Sequence, residues 1–229
     1  TDKNITMINY GNNPSKKYSQ AQHSWDEGFG YFGAATKSLL WTDDENYAIA
    51  RGDGSFSVAA SSLGNNSKID LKTENNGTEI EFKSQLAYYA ANMGNNYLQD
   101  LLENFIAGNE LIRKAEQADR ALTDAEYTKL LDHANKVRDI LLNLYADIIY
   151  KYAGSFHGTT TKEKAYFGEI VGHFNGMQMH PSITTAQKNS ISSYIKEKYN
   201  AYGAKDTMKD LQTYLKNNFS LRGFKNTIA

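Results

Sequence analysis

Two imidazole–carboxylate pairs carry the chemical potential of this chain: His23 with Glu27, and Glu169 with His173. In each pair the side chains are four residues apart, so on a helix they lie one turn apart on one face. A neutral imidazole nitrogen and an ionised carboxylate oxygen are both metal donors, and at this spacing they can share one cation. A donor set of nitrogen and oxygen alone suits iron, zinc, manganese or copper, and the spacing does not choose among them. The competing use is structural, with each carboxylate a buried hydrogen-bond partner that orients an imidazole or Tyr31 in a helix–helix contact.

The first pair sits in the run His23-Ser24-Trp25-Asp26-Glu27-Gly28-Phe29-Gly30-Tyr31-Phe32-Gly33. Wound as a helix, Trp25, Phe29 and Phe32 form an apolar stripe, while His23, Glu27 and Tyr31 form a second stripe about 200° away. Asp26 falls about 100° from Glu27, a place for a helper behind the ligands or for a solvent-facing carboxylate, with Trp25 and Tyr31 flanking the pair. Three glycines in one helical run cost about 1 kcal/mol each relative to Ala, and they ordinarily mark the close approach of another backbone or a ligand. The run Phe167-Gly168-Glu169-Ile170-Val171-Gly172-His173-Phe174, 142 positions later, repeats the aromatic, the Glu, the Gly and the final Phe. Phe167, Val171 and Phe174 repeat the apolar stripe, and the imidazole now follows its carboxylate. The repetition predicts two related helical units whose stripes face each other across a cleft, with His23, Glu27, Glu169 and His173 as metal ligands.

The frame that must position these residues reads as all-α. The chain has 229 residues, 16 Tyr, only 2 Pro and no Cys, with a net charge of −1. Absence of Cys excludes disulfides, thiol catalysis and thiolate metal sites. A near-zero net charge gives no general attraction to nucleic acid or to an anionic membrane. No apolar run approaches the roughly 18 residues of a membrane span, and the opening Thr1-Asp2-Lys3-Asn4 carries no leader, which fits a cytosolic chain or one whose leader has been removed.

Residues 1–18 read as an irregular start with a turn at Gly11-Asn12-Asn13-Pro14, and the first motif helix is expected over about 19–37. A polar insertion follows at about 42–82, either a long loop or a small hairpin built from Ile69-Asp70-Leu71 and Ile80-Glu81-Phe82. From Ser84 the 3–4 spacing of apolar residues predicts a long helix to about Gln117. Thr123-Asp124-Ala125-Glu126 is a capping box opening a helix to about Gly154. Thr160-Thr161-Lys162-Glu163 starts the helix of the second motif, which His180-Pro181 ends. Thr184-Thr185-Ala186-Gln187 starts another helix, and the last spans about Thr207–Asn217. Together 1–229 form one helical domain, with the bundle over about 84–217. His133 is expected to face solvent, and the Tyr-rich segments to be core and helix-interface residues rather than a sugar platform.

Other chemistries fail on spacing. There is no His-Glu-x-x-His, no EF-hand loop, no Gly-x-Ser-x-Gly and no phosphate- or dinucleotide-binding glycine loop. Glu169 to His173 is one residue too long for the Glu-x-x-His of di-iron bundles. His23, Trp25, Asp26, Glu27, Phe29, Gly30, Tyr31 and Phe32, as His-x-Trp-Asp-Glu-x-Phe-Gly-Tyr-Phe, resemble the central motif of a family of exported proteins of marine and gut Gram-negative bacteria. That family is similar to the imelysin-like, iron-regulated proteins. The resemblance implies an imelysin-like helical bundle of two related halves, exported to the periplasm or outer-membrane surface, including as a lipoprotein. It also implies a role in acquiring a divalent or ferric metal, iron above all, for an envelope uptake system. The imelysin motif separates His and Glu by three residues where this chain has four, and the family's members are longer. The shorter length points to a missing N-terminal partner segment or a homo-oligomer. Two further readings stand beside non-enzymatic metal capture: a scaffold subunit of a cell-surface assembly, and a metallopeptidase with Glu27 as general base and a metal-bound water as nucleophile.

Overall fold

Apolar periodicity dominates the architecture, which in a computed structural model is all-α: eight helices and one short hairpin among the described residues, which are 7–10, 13–34, 38, 41–50, 84–156, 161–200 and 205–224. The helices are α1 (Gln20–Phe32), α2 (Asp43–Ala50), α3 (Gln85–Met93), α4 (Tyr97–Gln117), α5 (Asp124–Gly154), α6 (Thr161–Gln178), α7 (Thr185–Asn200) and α8 (Lys205–Asn218). No helix among the described residues is long and apolar enough to cross a membrane. Where the sequence suggests one domain, contacts divide the chain into two compact units, Thr1–Val137 and Arg138–Ala229, with the boundary inside α5.

In the first unit the expected irregular start is instead a hairpin, β1 (Met7–Tyr10) antiparallel to β2 (Asn13–Ser19). Its register breaks between Asn9 and Tyr10, whose partners are Lys17 and Asn13. Ser19 then caps α1, its hydroxyl accepting from the Gln22 amide at 3.0 Å. Gly33, at φ 72°, ends α1 at Phe32, short of the expected limit near 37, by taking a left-handed conformation that closes Gly33 N–H on the Phe29 carbonyl.

The polar stretch from residue 42 begins as a helix rather than a loop. Thr42 and Glu45 form a capping box, with amide-to-side-chain distances of 2.7 and 3.2 Å, and Asn46 is buried, giving its amide to the carbonyls of Ser38, Trp41 and Thr42. These polar residues belong to helix termination and start chemistry, which is why hydrophobic periodicity misses them. The expected strands around Ile69 and Ile80 lie outside the described residues.

The long helix expected from Ser84 is two helices. Gly94, Asn95 and Asn96 take φ of 65°, 60° and 60°, and three successive positive φ values end α3 and restart the chain as α4. Ser84 links the start of α3 to the end of α1, accepting from the Ala87 amide and donating to the Phe32 carbonyl. α1 packs on α4, α2 on α3 and α3 on α4, enclosing Ile49, Met93, Tyr97, Leu98, Leu101 and Leu102.

The capping box at Thr123 forms as expected, with Glu126 also gripped by Arg120 at 2.7 and 2.8 Å. Thr184 and Gln187 form the equivalent box for α7. In the second unit, Ile149, Ile170, Phe174, Met177, Ile191, Leu211 and Leu215 share one core. A stripe on α5 at four-residue spacing holds the segment 220–224. Asn143 accepts from the Ser220 amide, and fully buried Asp147 accepts from the Arg222 and Gly223 amides at 2.7 and 3.2 Å. Lys151 lies 4.6 Å from the Phe224 ring.

Asp147→Asn is expected to cost about 1–2 kcal/mol, because it removes a buried, charge-assisted acceptor from the Arg222 and Gly223 amides. Denaturant unfolding checks the size, and hydrogen exchange should quicken at Arg222 and Gly223.

The candidate site on the motif helices

The apolar stripe of α1 is a docking device for α4, centred on Phe105. Trp25 and Phe29 meet the Phe105 ring edge-on at centroid distances of 6.0 and 5.5 Å, and Phe32 stacks on it at 6.0 Å. The Trp25 indole donates to the Phe105 carbonyl at 2.8 Å and lies across Gly108, where an added Cβ would come within 2.0 Å of the indole. Asp26 accepts from Gln22 at 2.7 Å and from Asn109 of α4 at 3.1 Å, so this carboxylate ties two helices together. The Ser19 amide donates to Glu116 at 2.8 Å, adding a second tie near the far end of α4. Beside the Asp26–Asn109 tie, Trp25, Asp26, Phe29, Phe105, Ile106 and Asn109 line an open, mainly apolar cleft of about 180 Å³.

The polar stripe of α1 faces outward. His23 Nε2 lies 3.4 Å from Glu27 Oε1, with the two side chains 42% and 50% exposed. Tyr31, four residues after Glu27 on the same stripe, is 82% exposed. A Cβ on Gly30 would meet nothing within 4 Å, and one on Gly28 only the Phe105 ring at 3.9 Å. The close approach expected at these glycines is absent among the described residues; it occurs instead at Gly108, at Gly154 against Gln212, and at Gly176 against the Tyr145 ring.

In the second unit, His173 Nε2 lies 3.4 Å from Glu169 Oε2, and the two side chains are 11% and 40% exposed. The His173 ring is 6.2 Å from that of Tyr145. Burial holds the His173 imidazole below its ordinary pKa against the opposing pull of Glu169, and burial also lowers His180 and raises Tyr145. The apolar stripe of α6 runs Phe167, Ile170, Phe174 and Met177 rather than through Val171. Gly168 and Gly172 again have open space around them.

No family model, curated protein or solved structure matches the chain. The chemistry therefore rests on the residues themselves. His23–Glu27 belongs to the first unit and Glu169–His173 to the second, and each pair brings two donors. Among the described residues no group of three or more His, Cys, Asp or Glu is placed to hold a metal ion. His133, expected in solvent, is half-buried and bonded through Nδ1 to Asn104 at 2.9 Å.

Sequence reasoning missed the receiving surface, Phe105, Gly108, Asn109 and Glu116. A glycine within the strong periodicity of α4 was the available signal, because a helix spends about 1 kcal/mol on it only where something presses close.

The lowered imidazoles give a pH prediction. The unfolded groups protonate near 6.5, the folded ones lower, so below 6.5 the unfolded state binds more protons and stability falls as pH drops through that window. Above it the contribution is fully present. NMR titration should place both midpoints below 6.5, and His173→Gln should flatten the acid-side decline in unfolding free energy.

Proposed function

We propose that the chain is a non-enzymatic helical binding module of a bacterial cell-envelope assembly, and that the outward stripe of α1 is its contact face for another polypeptide. The observation that carries this reading is Tyr31, 82% exposed on the motif helix beside a backbone left bare at Gly30. Tyrosine supplies large contact area for little conformational entropy and is enriched among residues that dominate interfaces. Gly30 gives a partner's backbone room to approach, and His23 and Glu27 offer directional hydrogen bonds at its edge. The face is open to solvent at Tyr31, His23 and Glu27, which suits a polypeptide partner better than an enclosed small molecule. The inward stripe holds α1 to α4. The envelope setting is supported by the motif's resemblance to an exported family.

Native co-purification from source cells tests this. The wild-type chain should retain a partner at near-equal stoichiometry, and Tyr31→Ala and Gly30→Arg should lose it while keeping the helical circular dichroism. Retention by both variants would overturn the reading.

Metal capture is the second reading, favoured by one observation: burial shifts His173 toward its neutral form, the form that donates to a metal, 3.4 Å from Glu169. Iron is the metal that the resemblance implies. Calorimetric titration with iron(II) and zinc separates the readings, since capture requires tight stoichiometric binding that His173→Ala abolishes.

A further inference from the structure

The second unit holds a cleft that neither reading uses. It lies between α7 and α8, measures about 290 Å³ and is lined by Tyr194, Asp210, Thr213, Tyr214, Asn217 and Asn218. Tyr194 and Tyr214 rest on the core with ring centroids 5.9 Å apart and planes tilted by 50°, giving the cleft an aromatic floor. Its rim is a carboxylate, a hydroxyl and two amides, all exposed. The Thr213 hydroxyl donates to the Lys209 carbonyl, which leaves its oxygen able to accept. Asn218 donates one amide hydrogen to the Tyr214 carbonyl and keeps its oxygen unused. Among the described residues the side chains of Asp210 and Asn217 have no hydrogen-bond partner.

We infer that this cleft binds an uncharged pyranose sugar. A sugar ring has an apolar face of C–H groups that lies against aromatic rings, and an equatorial rim of hydroxyls, each both donor and acceptor. Planar carboxylate and amide groups meet that pattern with paired, directional bonds, and Asp210, Asn217 and Asn218 supply three of them around the tyrosine floor. The cleft has the size of one ring, not of a drug-sized ligand. Asp210 and Tyr214 are one turn apart on α8, as are Thr213 and Asn217, so a single helix carries most of the rim in fixed register over the floor.

The test is an NMR titration of the full chain with methyl β-D-glucopyranoside, methyl β-D-galactopyranoside and N-acetylglucosamine, with choline chloride as a cationic probe. The expected result is saturable shifts at millimolar concentration for at least one sugar, confined to residues lining the cleft. Asp210→Ala and Asn217→Ala replace exposed side chains and leave the fold intact, and each should weaken that sugar at least tenfold. The proposal is overturned if no sugar shifts these residues, if the two variants bind as the wild type does, or if choline alone binds.

Discussion

Replacing Gly30, Gly168 and Gly172 together with Ala is expected to stabilise the protein by about 2–3 kcal/mol, since each exposed helical glycine gives up about 1 kcal/mol relative to Ala. The new methyl groups meet nothing within 4 Å, so no clash offsets the gain. Chemical denaturation of the triple variant checks it. The result matters for function because a fold that needed these glycines internally would lose stability on the change. A gain means that the bare backbone beside each Glu/His pair serves something other than the folded chain. Stabilising substitutions that lower activity are the usual mark of a surface kept for a partner.

Gly108→Ala should do the opposite. The added methyl falls inside the Trp25 indole, and the indole is held by its bond to the Phe105 carbonyl and by the Phe105 ring. Overpacking of this kind costs about 1–3 kcal/mol, and losing the indole's hydrogen bond adds to it. Trp25→Ala alone is expected to cost about 3 kcal/mol through lost packing. In the double variant the methyl occupies vacated space, so the combined loss should fall short of additivity by at least about 1 kcal/mol. Additive losses would show that the indole and Gly108 do not meet.

Helices with strong apolar periodicity or a capping box were legible from the sequence. α5 and α7 begin at Thr-x-x-Glu and Thr-x-x-Gln boxes, and α6 ends before His180-Pro181, because each signal is local chemistry written in adjacent residues. Failures cluster where polar residues do structural work. Thr42 and Glu45 cap α2 inside a stretch that reads as loop, Gly94-Asn95-Asn96 break an apolar pattern that runs straight across them, and Pro14 lies in a strand rather than a turn.

The motif itself was half legible. Its two stripes do point in different directions, and the apolar one is buried against α4, but nothing in residues 23–33 reveals that Phe105 is its receptor, 80 positions from Trp25. Asp147 was missed for a related reason: its partners are backbone amides of the segment 220–224, and such amides leave no mark in a sequence. The four proposed ligands were named from pair spacing. Their pairing is observed at 3.4 Å in both copies, while a complete set of donors depends on tertiary placement that spacing does not encode.

Photo-crosslinking tests the contact face most directly. A benzoylphenylalanine introduced in place of Tyr31 in source cells should give one discrete adduct with a second polypeptide, and the same probe in place of exposed Lys129 should give none. An absent adduct at position 31, or equal labelling at both positions, would contradict the proposal that the outward stripe of α1 is where this protein meets its partner.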